Sequence, residues 1–321
     1  MSYFNTKLDD FEKSLNNKKV AIIGLGVSNL PMLDYLHSLN ANVSIFDKKN
    51  KEKFDVEIIK KIKECNFNLY TGENNLENLH GFDFIFRSPD KPEIVKEVHN
   101  GAILTSEIEM VLKLAPCKII GVTGSDGKTT TTSLIYAILK DAGYNCFLGG
   151  NIGIPLFTQI KNMTPNDIVV LEMSSFQLMD MEVSPNISVI TNIAPNHLDI
   201  HKSYEEYIDS KKNIFKYQKE NSTLVINYDN EITKKFVKEA KGNVIYFSSK
   251  NKLDNGVIFD DGMIKICKDG IRRHILAQKD MKLRGVHNCE NACAAIAATA
   301  SLVSVEEQIK TIQEFSGVEH R

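Results

Sequence analysis

The sequence predicts an α/β protein of two domains: a Rossmann-like N-terminal domain, then a P-loop-type α/β domain with a mostly parallel sheet. Three observations predict it. Apolar runs of strand length alternate with longer amphipathic segments along most of the chain. Two glycine turns, at residues 24–29 and 121–132, each follow an apolar run and precede a helical pattern. Finally, 321 residues are too many for one ordinary domain and enough for two, each with its own core.

The first domain, residues 1–114, opens with a strand at 20–24, a turn carrying Gly24 and Gly26, a helix at 30–39 and a strand at 42–46 that ends at Asp47. In a dinucleotide site the third glycine of such a turn lets helix and strand pack beside a pyrophosphate, and that position here is Asn29. NAD is therefore disfavoured. A mononucleotide or sugar nucleotide fits the same turn, and so does a purely structural role. A strand at 82–86, a turn over Arg87, Ser88, Pro89 and Asp90, and helices at 93–99 and 107–114 continue the alternation, which Ala115-Pro116 interrupts.

The second domain, residues 115–321, has strands at 117–120, 167–171, 187–193, 223–226 and 244–247. Helices are expected after the second glycine turn through residue 140, at 204–216 and at 232–240. Asp261-Gly262 and Asp269-Gly270 break residues 256–276 into hairpins at a sheet edge. Helices at 288–300 and 305–315 follow.

Lysine plus arginine (39) nearly balance aspartate plus glutamate (41), so no net field draws nucleic acid or a membrane, and small molecules are the expected partners of a monomer. The six cysteines form no CxxC pair, and the N-terminus lacks an apolar signal core, which predicts a reduced, cytoplasmic compartment. Cys289 and Cys293, four apart on a helix, read as small buried positions.

The chemistry concentrates at the C-terminal ends of predicted strands. In residues 123–130, Thr-Gly-Ser-Asp-Gly-Lys-Thr-Thr, Gly124 and Gly127 let backbone amides curl around an anion. Lys128 reaches terminal phosphates, and the Thr129 hydroxyl suits magnesium, so a nucleoside triphosphate is the expected ligand. The match is the short form of the motif, because the first glycine of the general Walker pattern would fall at Val122. Glu172 ends another strand, where it can complete a magnesium shell, and Ser174, Ser175 and Gln177 follow it. His197 and Asp199 follow a third strand, while His201 reads as a surface-loop histidine. Gly149, Gly150 and Gly153 make a glycine loop from which Asn151 could donate to a phosphate or carbonyl.

Five ordered motifs, at 123–130, 149–153 (Gly-Gly-Asn-Ile-Gly), 172–178 (Glu-Met-Ser-Ser-Phe-Gln-Leu), 196–199 (Asn-His-Leu-Asp) and 285–288 (Gly-Val-His-Asn), make the chain resemble the Mur ligases across nearly its whole length. The Ser-Ser-Phe-Gln-Leu string with the N-terminal turn is similar to the branch that adds D-glutamate to UDP-N-acetylmuramoyl-L-alanine. The resemblance implies that Gly124, Ser125, Asp126, Gly127, Lys128, Thr129 and Thr130 bind ATP, with Asn288 on adenine and Arg321 closing the nucleotide site. It implies Mg²⁺ ions held by Thr129, Glu172 and His197, and a carbamylated lysine at Lys211, with Lys212 as the alternative. Ser28, Asp47, Lys49 and Ser88 would meet the uridine diphosphate, and Asn151, Ser174, Gln177 and His197 the muramoyl-alanine end. The implied catalytic set is Lys128, Glu172, His197 and Lys211.

The implied reaction is attack of the substrate carboxylate on the γ-phosphate to give an acyl phosphate and ADP, followed by displacement of phosphate by the amine of D-glutamate. Asn29, Asp90, Asp126 and Ile200 depart from the family pattern. Family members carry a third domain with the D-glutamate site, and Glu319-His320-Arg321 reads as the linker into it, so a two-domain fragment, inactive alone, is expected. The rival readings are another amino-acid-adding member of the family, a UDP-sugar-binding module without catalysis, a nucleotide-sugar oxidoreductase, and a P-loop switch or kinase.

Overall fold

The computed structural model describes residues 3–88, 101–195 and 201–317. It divides into two compact units, residues 1–116 with 154–164 and residues 117–153 with 165–321. In the first unit, β1 (Lys19–Ile23), β2 (Asn42–Asp47), β3 (Asn68–Thr71), β4 (Phe84–Arg87) and β5 (Ile103–Thr105) form a parallel sheet in the order β3-β2-β1-β4-β5. β1 and β2 are buried along nearly their whole length, as strands covered on both faces must be, which is why they read as continuous apolar runs. Ala21, Phe46, Leu79 and Ile85 form a core cluster against the sheet.

Four described α-helices or strands of this unit escape the sequence reading, β5 among them. Helix Thr6–Leu15 buries only Leu8 and Leu15 among its charged residues, and Asn5 caps it by accepting from the Leu8 N–H. Helix Val56–Glu64 buries Ile62 alone. β3 is an edge strand with no fully buried residue. Helices Met32–Ser38 and Glu107–Leu114 stand where their periodicity puts them, the second capped by Ser106 on the Glu109 N–H.

One segment changes unit. Residues 154–164 fall after the predicted boundary but pack with the first unit, because Phe157 is 1% exposed and its ring lies 5.0 Å from Tyr35, 5.9 Å from Phe86 and 6.0 Å from Phe11. The Glu107 carboxylate fastens the segment by accepting the N–H groups of Leu156 (2.7 Å) and Phe157 (2.8 Å). Burial pushes the Glu107 pKa up while those two donors pull it down.

The second unit holds β6 (Lys118–Thr123), β7 (Cys146–Gly150), β8 (Ile168–Glu172), β9 (Ile187–Ile190), β10 (Thr223–Asn227), β11 (Asn243–Ser248), β12 (Gly256–Asp260), β13 (Met263–Lys268) and β14 (Ile271–Ala277). Their order is β14-β13-β12-β11-β10-β9-β6-β8-β7, parallel from β7 to β12 and antiparallel across β12, β13 and β14. Both edge hairpins turn on Asp-Gly pairs with positive φ, at Asp261-Gly262 and Asp269-Gly270. Helices Lys128–Asp141 and Val286–Thr299 share the apolar cluster, where Leu134, Ile135 and Ile138 meet Cys289, Ala292, Cys293 and Ile296. Cys289 and Cys293 are both 0% exposed, so they serve as small packing residues.

Three further expectations are corrected. Residues 233–238 form a 3-10 segment (Thr233–Lys238) in place of an α-helix. The strand expected to reach residue 193 ends at Ile190, where the chain turns back over the phosphate loop. Gly149 and Gly150 belong to β7, leaving Asn151 and Gly153 in the bend after it. The helix expected at 93–99 lies outside the described residues.

Candidate functional site

Leaving β6 the chain reaches outward to β7, returns to β8, then crosses to β9 on the opposite flank, so β6 ends at a topological switch point. Ladder pairs Val122 with Glu172, Gly150 with Glu172 and Thr123 with Ile190 bring these strand ends to one level.

The loop after β6 is compressed against β9. Gly124 has φ +153°, and a Cβ there would sit 1.8 Å from Thr191 Oγ1. Gly127 has φ +78°, and its Cβ would sit 2.4 Å from Asn291 Oδ1. Only glycine fits either position. Ser125 N–H donates to Asn192 O, Asp126 N–H to Asn192 Oδ1, and Thr191 Oγ1 to Asp126 O at 2.6 Å. The Ser125 hydroxyl, 6% exposed, meets the Tyr207 hydroxyl at 2.8 Å. Thr129 is buried on the first turn of the helix, with Thr130 half-buried beside it.

Two lysines converge here. Lys128 Nζ donates to Gly124 O and Ser125 O, each at 3.0 Å. Lys211 comes from helix Tyr204–Lys216, which Ser203 caps, and its Nζ donates to the same Gly124 O at 2.9 Å and to Thr123 Oγ1 at 3.2 Å. Lys211 is 1% exposed, and its ammonium lies 4.9 Å from the centre of the Tyr207 ring. Burial, and next the positive charge of Lys128, lower its pKa to about 7, against a smaller opposing pull from Glu172. Lys212 faces outward and pairs with Glu239 (2.9 Å) and Asp209 (3.6 Å), so the geometry separates the two candidate lysines.

Glu172 ends β8 at 1% exposure. Its Oε1 accepts from Asn151 Nδ2 at 2.8 Å, the Asn151 N–H donates to Glu172 O at 2.8 Å, and Oε2 is buried without a hydrogen-bond partner. A buried carboxylate oxygen in this condition is costly unless a cation completes it. Among the described residues no group of three or more His, Cys, Asp or Glu forms a self-contained metal cage. The donor set instead suits Mg²⁺, which keeps waters and takes one or two carboxylates plus phosphate oxygens. Ser174 and Gln177 form a capping box on helix Ser175–Leu178, so their backbone and side chains hold each other. Asn288 stands on the first turn of helix Val286–Thr299 and donates to Arg284 O at 2.7 Å, one turn before Asn291. His197 and Arg321 lie outside the described residues.

In the first unit, Asp47 closes the turn after β1, accepting the Leu25 N–H (Oδ2, 2.7 Å) and the Lys49 N–H (Oδ1, 2.7 Å). Asn29, 1% exposed, donates to Gly24 O (2.8 Å) and Ile23 O (3.3 Å), so the side chain in the third-glycine position staples the turn. Ser88 approaches closely enough that a Cβ on Gly24 would lie 2.8 Å from its Oγ, and its N–H donates to Ile23 O. Ser28 is half-buried in the same turn, and Lys49 Nζ lies 5.1 Å from the centre of the Phe54 ring.

Sequence reasoning misses Thr191, Asn192, Tyr207 and Asn291, whose contacts depend on the packing of distant segments. His201, expected on a surface loop, is 3% exposed and stacked on Phe176. Its signal was the aromatic pair Tyr204 and Tyr207, which supplies an apolar wall.

Comparison with known proteins agrees with this arrangement. Residues 122–299 match the Mur ligase middle domain and residues 18–105 the N-terminal domain of the Mur ligase MurD-like type. The chain is 49% identical over 321 residues to UDP-N-acetylmuramoylalanine--D-glutamate ligase of Ruminiclostridium cellulolyticum and 48% identical over 322 residues to that of Acetivibrio thermocellus. Each alignment covers 99% of this chain and 69% of the relative. In fold it is similar to UDP-N-acetylmuramate:L-alanyl-gamma-D-glutamyl-meso-diaminopimelate ligase from Neisseria meningitides (TM-score 0.62, 20% identity, 94% of this chain and 99% of that one). The UDP-N-acetylmuramate-alanine ligase of Thermotoga maritima gives TM-score 0.53 at 22% identity, over 94% of this chain and 69% of that one.

Proposed function

The chain belongs to the Mur ligase family, and from that premise we propose that it serves the ATP-dependent addition of D-glutamate to UDP-N-acetylmuramoyl-L-alanine, a step of peptidoglycan precursor synthesis. The observation that carries the reading is the charge arrangement at the end of β6. Two lysine heads share one carbonyl oxygen, Gly124 O, beside a buried carboxylate with one unsatisfied oxygen. An anionic ligand relieves the first condition and a cation the second; a triphosphate with Mg²⁺ supplies both.

In this reading Gly124 to Thr130 receive the phosphates, with Lys128 neutralising charge that builds at the γ-phosphate as the substrate carboxylate attacks. Thr129 and Glu172, with His197, would hold Mg²⁺, whose contribution is to offset repulsion between carboxylate and triphosphate. Asn151 orients Glu172 through their 2.8 Å hydrogen bond. A lysine whose pKa lies near 7 is partly the free amine at neutral pH. Its nitrogen lone pair can add to the carbon of CO₂ and release one proton, turning Lys211 from a cation into an anionic oxygen donor. Asn288 would meet adenine and Arg321 close the nucleotide site. Ser28, Asp47, Lys49 and Ser88 would receive the uridine diphosphate, and Ser174 and Gln177 the muramoyl-alanine end. We assign the reaction to the cytoplasm, where ATP and thiols are both maintained; all six cysteines are unpaired, and no described helix is long and apolar enough to cross a membrane.

The test joins this chain to the part of the Ruminiclostridium cellulolyticum relative that lies outside the 69% it covers, and incubates the fusion with ATP, Mg²⁺, UDP-N-acetylmuramoyl-L-alanine and D-glutamate, followed by mass spectrometry. The expected product carries one D-glutamyl residue and appears with equimolar ADP. Incorporation of a different amino acid in preference to D-glutamate would transfer the chain to another activity within the family.

A further inference from the structure

We propose that His201 is a positioning residue, which fixes residues 174–178 against the helix that carries Lys211 and thereby sets where Ser174 and Gln177 meet the substrate. The inference rests on the ligase reading for what those two residues meet, and on geometry for the rest. The His201 imidazole is 3% exposed and lies flat on Phe176, with ring centres 5.0 Å apart at 8°. Nε2 stands 2.9 Å from Ser175 Oγ, and Nδ1 stands 3.7 Å from Glu206 Oε2. Its edge meets the Tyr207 ring at 5.2 Å and 77°. One side chain thus touches two residues of the short helix Ser175–Leu178 and two of helix Tyr204–Lys216.

The chemistry of those contacts separates positioning from mere filling. A neutral imidazole offers one donor and one acceptor and the serine hydroxyl can do either, so Nε2 and Ser175 Oγ share a hydrogen bond whichever ring nitrogen carries the proton. Ser175 is 2% exposed, so the histidine supplies a buried hydroxyl with a hydrogen-bond partner that a phenyl ring of similar volume would not. Serine, histidine and glutamate stand here in the order of a hydrolytic triad, but a serine this buried offers no approach to a substrate carbonyl, and the arrangement acts by holding its neighbours. Those neighbours matter because Ser174 and Gln177 are locked to each other by the capping box. A shift of Ser175 therefore moves the pair as a unit. Displacements of about 1 Å in aligned reactants cost up to roughly 100-fold in rate.

The experiment compares wild type, His201→Ala and His201→Gln, each in the same fusion to the remainder of the Ruminiclostridium cellulolyticum relative, since glutamine keeps a hydrogen-bonding group near the Nε2 position. Two readouts are taken: kcat with the separate KM values for UDP-N-acetylmuramoyl-L-alanine and ATP, and amide hydrogen exchange across residues 174–178. In His201→Ala the expected result is faster exchange in that segment, a fall in kcat of roughly tenfold or more, and an unchanged KM for ATP. His201→Gln recovers most of both losses. Unaltered exchange in His201→Ala overturns the inference whether or not ligation is detected. A kcat that falls only in step with thermal stability, with no recovery in His201→Gln, also overturns it. Absence of ligation by the wild type counts against the proposed function alone, because the exchange readout needs no turnover.

Discussion

The molecule carries two glycine turns after buried parallel strands, one in each unit, and they satisfy their charges in opposite ways. In the turn after β1, the Asp47 carboxylate already occupies the Leu25 N–H, and the Asn29 amide occupies the Gly24 and Ile23 carbonyls. In the loop after β6, two cationic heads meet on Gly124 O, and Glu172 Oε2 lacks a partner. The first turn is completed by its own side chains, whereas the second holds charges that a ligand would balance. Two stretches that look alike as glycine patterns thus differ in what surrounds them.

Substituting a glycine in each turn gives the largest contrast. Gly124→Ala places a methyl 1.8 Å from Thr191 Oγ1 at φ +153°, and a loss of about 3 kcal/mol in unfolding free energy is expected. Gly26→Ala has no atom within 4 Å of the new Cβ and should lie within about 0.5 kcal/mol of wild type. Urea denaturation of both variants checks this, and equal losses would show that the second loop is not compressed against β9.

A smaller effect is expected at Asp47. Asp47→Asn keeps one acceptor for the Leu25 and Lys49 N–H groups where the carboxylate had two, at a cost of about 1–2 kcal/mol. The same change in a carboxylate that only meets solvent would leave the denaturation midpoint unmoved.

An effect of comparable size, read through pH, is expected from Lys211. Its folded pKa, about 7, lies below the unfolded value near 10.5, so between these values the unfolded chain binds more protons and stability rises with pH. Below pH 7 the buried amine must be charged in the native state, and that contribution is lost. Thermal melts from pH 7 to 9 in CO₂-free buffer should therefore rise more for wild type than for Lys211→Gln. Parallel curves would show that Lys211 does not titrate in this window.

Much of the fold was legible where burial imposes a period. Helices Glu107–Leu114 and Tyr204–Lys216 and the Asp-Gly hairpins stand at their expected positions. Helix Thr6–Leu15 was not legible, because two buried leucines seven residues apart leave too little of an apolar stripe. The same limit governs the candidate site. Lys128, Lys211, Glu172 and Asn151 sit in local motifs with a chemical signature, and the structure brings them to neighbouring strand ends. Tyr207 and Asn291 reach the phosphate loop through the distant residues Ser125 and Gly127, and no local pattern carries that information. Residues 154–164 pack with the first unit for the same reason, since Phe157 finds its pocket among Phe11, Tyr35 and Phe86.

The central claim, that the loop after β6 is a nucleotide site and the turn after β1 does not take a dinucleotide, is tested most directly by calorimetric titration of the protein with Mg²⁺–ATP and, separately, with NAD. The account predicts saturable Mg²⁺–ATP binding that weakens by roughly 100-fold or more in Lys128→Ala, in a variant whose circular dichroism matches wild type, and no heat from NAD. Saturable binding of NAD, or Mg²⁺–ATP binding that Lys128→Ala leaves intact, would contradict it.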